Sequence, residues 1–133
     1  MNETAKPYEL TFEEREHYLY AYVKADATSE QMAISYYSEI TERCNAMQCA
    51  RLLFVRDIPG MLPVGSLYFV LSDFETKITD VKIAWVNPHP ANKEDFEFAS
   101  GFANYALGRP RFAFFENEAD AERWLLEEGA IPD

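Results

Sequence analysis

Arg51 to Arg56 encloses an unbroken apolar run, Leu52-Leu53-Phe54-Val55. Four consecutive apolar residues are too few for a buried helix. Side chains of a strand alternate sides, so the run predicts a strand covered on both faces. A strand of that kind needs a layer above and a layer below, and the rest of the chain supplies helical stretches between further strands.

Upstream, Tyr8 to Glu13 reads as a short strand. In His17 to Lys24, Leu19, Ala21 and Val23 point one way and Tyr18, Tyr20 and Tyr22 the other, so the chain opens with a hairpin. The three tyrosines read as packing rather than ligand stacking. Thr28 followed by Gln31 matches a capping box. From Ser29 to Met47 the residues Met32, Ala33, Tyr36, Tyr37, Ile40, Cys44 and Met47 recur at three and four, one buried helical stripe.

After the central strand, Asp57-Ile58-Pro59-Gly60 forms a break. A second helix starts near Val64 to Ser66 and carries Leu67, Tyr68, Leu71 and Phe74 at helical spacing. Ile78 to Val86 is a strand with Val81, Ile83 and Trp85 on one side. Asn87-Pro88-His89-Pro90 then forces a turn. A third helix is expected over Asp95 to Leu107, a strand over Arg111 to Phe115, and a last helix capped by Asn117 and ended by Gly129. The order is ββαβαβαβα. Such alternation implies an α/β fold: a mostly parallel sheet with an N-terminal hairpin and four flanking helices, linked by right-handed crossovers. A chain of 133 residues suits one domain, here 8–129, with loose ends at 1–7 and 130–133.

Charge narrows the partners. Twelve Lys and Arg oppose 23 Asp and Glu, a formal charge of −11. That balance argues against nucleic acid and against an electrostatic hold on anionic lipid. No stretch is long and apolar enough for a membrane span. Cys44 and Cys49 match no zinc spacing and are expected as reduced thiols of a cytoplasmic protein.

Three segments together resemble the STAS family, the bacterial anti-sigma factor antagonists and their relatives, and within it the stage II sporulation protein AA-like (STAS/CRAL-TRIO-like) branch. They are Arg51 to Asp57 with Ile58-Pro59-Gly60, the helix start Val64-Gly65-Ser66-Leu67, and Arg111 to Asn117 followed by Ala121, Trp124 and Leu125. The resemblance implies a non-enzymatic regulatory or protein-binding module. In the antagonists a serine at the start of the helix after the third strand is phosphorylated by a partner kinase. On that pattern Asp57 matches the acidic residue at the strand end, Gly60 the turn glycine, and Ser66 falls at or beside the phospho-acceptor. The family's Asp-Ser-Ser/Thr-Gly reads Gly65-Ser66-Leu67-Tyr68 here, without the acidic residue and the trailing glycine, which counts against the phosphoswitch and leaves the fold reading as it is.

Other chemistry is weighed on the residues themselves. Ser66 at a helix start suits an added phosphate, through free N–H groups and the helix dipole, but is equally a plain helix-start hydroxyl. His17 and His89 are the only histidines, and neither has a second ligand placed for a metal. A hydrolase centred on Ser66 or His89 requires the two side chains to meet. Phe98 and Tyr105, two turns apart and off the buried stripe, form a candidate apolar patch, which keeps a small lipid-like ligand as the alternative reading. No cofactor is expected. The hairpin's open edge invites a homodimer.

Overall fold

The computed structural model describes residues 8–60, 62–78, 81–89 and 112–127. Its strands are β1 (Glu9–Glu14), β2 (Leu19–Lys24), β3 (Arg51–Asp57), β4 (Lys82–Val86) and β5 (Phe112–Phe115). Its helices are α1 (Glu30–Met47), α2 (Val64–Lys77) and α3 (Glu118–Leu126). The helix expected over Asp95 to Leu107, with Phe98 and Tyr105, lies outside the described residues, as do both chain ends.

The strands form one sheet in the order β1-β2-β3-β4-β5. The β1–β2 pair is the antiparallel hairpin, and every later pairing is parallel. The apolar run of β3 divides as alternation requires. Leu52 and Phe54 join the core under α1 and α2, whereas Leu53 and Val55 join a second core under α3. All four are at most 2% exposed, and burial of each such side chain contributes roughly 1.5–3 kcal/mol. Tyr18 lies in the second core, with Tyr20 and Tyr22 packed at its margin.

On the first face, α1 buries Met32, Ala33, Tyr36, Tyr37, Ile40 and Cys44, the predicted stripe apart from half-buried Met47. Trp85 stacks on Phe114 at 4.9 Å and donates through Nε1 to Tyr37 Oη at 3.2 Å, which ties β4 and β5 to α1.

The structure corrects several expectations. Ser29, not Thr28, caps α1: its backbone is extended (φ −146) and its hydroxyl accepts from Met32 N at 3.1 Å. Thr28 stands one residue too early, and its buried Oγ1 has no hydrogen-bond partner. The fourth strand starts at Lys82, because Ile78 instead closes α2 by donating its N–H to Phe74 O.

Tyr68 does not face inward. The stripe of α2 runs through Leu67, Val70 and Phe74, and Tyr68 falls off it at 47% exposure. The side chain of Leu71 lies outside the description.

Cys44 and Cys49 are not reduced thiols; they form a disulfide. Gln48 ends α1 in the left-handed region (φ 54), which turns the chain so that Cys49 N donates to Cys44 O at 3.1 Å. That reversal brings the two sulfurs together.

Candidate functional site

In an open parallel sheet, functional groups collect beyond the carboxyl ends of the strands, where the connecting loops begin. Three side chains meet there. Asp57 is the last residue of β3 and Tyr22 lies near the end of β2, on the same face. His89 follows β4 by three residues.

Tyr22 donates its hydroxyl to Asp57 Oδ2, and His89 Nε2 donates to Asp57 Oδ1 at 2.7 Å. Asn87 Oδ1 accepts from His89 N at 3.2 Å and so shapes the turn, while its buried Nδ2 has no partner. The Tyr22 hydrogen bond, against the opposing effect of burial, holds the Asp57 carboxyl below its ordinary pKa, with His89 and Lys24 adding to the effect. Reciprocally, that bond and burial push the Tyr22 phenol up to about 12.

The loop after β3 is built from inside. Arg56 is buried, and it donates from Nη1 to Ile58 O at 3.0 Å and from Nη2 to Gly60 O at 2.8 Å. Its planar fork thus clamps two carbonyls of the loop at once. Gly60 has φ +84, a conformation that favours glycine. Ile58 is fully buried and pins the loop to the first core.

The loop leads into α2 at Pro63, which accepts Leu67 N at 2.8 Å but offers no side-chain cap. Gly65 and Ser66 are the second and third residues of α2. Gly65 is exposed with open space where a Cβ would stand, so no close contact demands glycine there. Ser66 is half-buried in a first turn that holds no acidic residue.

One turn further, Tyr68 and Phe69 are 47% and 52% exposed. The surface from Asp57 to Phe69 therefore combines a clamped loop, a helix start and two outward aromatic rings.

The predicted residues are only partly brought together. Asp57 and Gly60 bracket the loop, and Ser66 follows on α2. Among the described residues no hydrogen bond joins Ser66 to His89, whose ring is instead held by Asp57. Nor do three or more potential ligand side chains gather for a metal among those residues. The Asp57–His89 contact escaped the reading from sequence, because 32 residues separate the partners. The one available signal was that a parallel sheet puts the end of β3 and the turn after β4 on the same edge.

These features define the class. The chain has a SpoIIAA-like, that is STAS-like, α/β fold. It is similar in structure to an uncharacterized protein of the DUF3478 family from Shewanella loihica PV-4, described with a SpoIIAA-like fold. The TM-score is 0.55 at 20% identity, over 94% of this chain and 98% of that one. No protein-family model matches the chain, and no curated protein matches it. No helix among the described residues is long and apolar enough to cross a membrane.

Proposed function

We propose that this chain is a non-enzymatic, STAS-like binding module that engages a protein partner through the loop after β3 and the first two turns of α2. The observation that carries the reading is the pair Tyr68 and Phe69. They are the large apolar side chains left exposed among the described residues, and they follow directly on a loop held by Arg56. Exposed aromatic side chains on a rigid element supply contact area at little ordering cost, which is how interface anchors work. Among the described residues Ser66 and His89 do not meet, which speaks against a hydrolase centred on that pair. Ser66 lies on the same surface. A phosphate there would gain from the helix dipole, but the reading does not need it.

The test is a photo-crosslinking amino acid placed in living cells at position 69, and separately at exposed position 42 on α1. A discrete protein adduct is expected at 69 only, and Tyr68→Ser should remove it. Equal labelling at both positions, or none at 69, would overturn the reading. So would turnover of an ester or phosphoester that disappears on Ser66→Ala or His89→Ala.

A further inference from the structure

A second surface lies on the opposite face of the sheet. Tyr18, Tyr20 and Tyr22 stand in a row along β2, and each hydroxyl donates to a carboxylate. Tyr18 reaches Glu122 at 2.8 Å, Tyr20 reaches Glu118 at 3.1 Å, and Tyr22 reaches Asp57. Two of those acceptors belong to α3, so the row runs beside that helix. On the other flank, β1 sets exposed Glu13 opposite Tyr20, exposed Thr11 opposite Tyr22, and exposed Glu9 opposite Lys24. The result is a trough floored by aromatic rings and walled by carboxylates on both sides.

The chain shows what chemistry fits this trough, because its own Arg15 occupies one end. The Arg15 guanidinium lies 3.9 Å from the Tyr20 ring centroid, its Nη1 donates to Tyr18 Oη at 2.9 Å, and its Nε donates to Glu13. A guanidinium is suited to such a place: flat enough to lie on a ring, with spare N–H groups for carboxylates at the rim.

The other end offers the Tyr22 ring with carboxylates nearby and no guanidinium; Thr11 stands opposite the ring, and Lys24 opposite Glu9. Neither Glu9 nor Glu118 has a cationic partner within ion-pair distance among the described residues. Five carboxylates (Asp57, Glu9, Glu13, Glu118 and Glu122) stand against Arg15, Lys24 and the imidazole of His89. Glu118 and Glu9 both raise the Tyr22 phenol, after its bond to Asp57 and burial, so their negative field reaches the ring.

We infer that the Tyr22 end of this trough takes the guanidinium of an arginine carried by a protein partner, repeating the seating that Arg15 already has on Tyr20. This surface meets the one on α2 only at Asp57 and uses neither Tyr68 nor Phe69, so the two readings are tested independently.

The probe is the peptide Ac-Gly-Arg-Gly-Arg-Gly-NH2, titrated into the full chain and followed by amide NMR shifts. Its counterpart carries citrulline, which keeps the shape of arginine and removes the charge. Saturable shifts are expected at Thr11 and from Tyr20 to Tyr22, with the citrulline peptide weaker by about tenfold. Glu118→Gln should weaken the arginine peptide by about fivefold. Glu42→Gln, an exposed acid on α1, and Tyr68→Ser should leave it unchanged. Tyr22→Leu, with folding checked from the same spectra, should remove saturable binding. Arg15→Gln should add shifts at Tyr18 and Tyr20 as the vacated end fills. Equal binding of the citrulline peptide, equal losses from Glu118→Gln and Glu42→Gln, or shifts centred on another face would each overturn the inference. If crosslinking at position 69 fails while this titration succeeds, the α2 reading alone is lost.

Discussion

His89 Nε2 lies 2.7 Å from Asp57 Oδ1, so a single hydrogen bond ties the turn after β4 to the end of β3. With Tyr22 on the other carboxylate oxygen, Asp57 joins three strand ends at the edge where the loops of the sheet begin. The carboxylate is thereby a structural keystone for whatever the neighbouring loops contact.

That arrangement makes stability respond to acid in a definite sense. The folded state holds the Asp57 pKa below its ordinary 3.8. Its contribution is therefore present above the unfolded value and is lost as pH falls through the lower folded value. Asp57→Asn should cost about 1 kcal/mol at neutral pH, and the gap from the natural chain should shrink below 3.8. Urea unfolding of both proteins across that range measures it; a gap independent of pH would refute the assignment.

The loop that follows should be rigid for two separable reasons. Arg56→Leu removes a buried hydrogen bond to Ile58 O and a part-buried one to Gly60 O and should cost about 3 kcal/mol. Gly60→Ala meets no atom within 4 Å, so its cost is backbone strain at φ +84 alone, about 1 kcal/mol. Equilibrium unfolding of each variant checks these values. The reverse ranking would mean that the loop is held by its own backbone rather than by the arginine.

Local pattern explains what was legible from sequence. The run in β3, the three-and-four stripe of α1 and the alternation in β2 each follow from one side chain repeat, and all three hold in the structure. Errors arose where one residue decides the outcome. Ser29 outcompeted Thr28 as the cap because it has the extended backbone at the junction. Tyr68 points outward because Leu67, Val70 and Phe74 complete the buried stripe without it. At the candidate site, Asp57 and Gly60 were visible as a strand end and a turn. The partners of Asp57 were not, since Tyr22 and His89 come from other strands and meet it only through register.

The disulfide is a sharper case, because a short separation in sequence says nothing without the left-handed Gln48 that closes it. Cys44 and Cys49 enclose a small loop, which corresponds to about 2 kcal/mol of unfolded-state restriction. Purified without reductant, the protein should show no thiol reactive to Ellman's reagent, and two after denaturation and reduction. Reduction, or Cys44→Ala with Cys49→Ala, should lower the urea midpoint while far-ultraviolet circular dichroism stays native. Two free thiols in the oxidised native protein would contradict the pairing.

Lys82 presents the opposite electrostatic sign to Asp57. It is buried on the face covered by α3, with Nζ 2.6 Å from Trp124 O, 3.2 Å from Glu127 O and 4.3 Å from the Trp124 ring centroid. The ammonium thus serves carbonyls at the end of α3, where the helix dipole favours positive charge. Burial still lowers its pKa from the ordinary 10.5, with Arg51 adding to the effect. The unfolded chain therefore holds this proton more tightly than the native one, so Lys82 makes stability rise with pH between the folded value and 10.5. Lys82→Met should cost about 1–2 kcal/mol at neutral pH, as both carbonyls lose the ammonium while Trp124 O keeps the Glu127 N–H, with faster amide exchange in the last turn of α3. It should also abolish that pH dependence. Tyr20 and Tyr22, both raised to about 12, lower the stability of the two proteins alike above pH 10.0 and cancel in the comparison. The stability difference between natural chain and variant should consequently widen from neutral pH toward 10.5; a constant difference would mean that the Lys82 ammonium is as well solvated in the folded protein as in the unfolded chain.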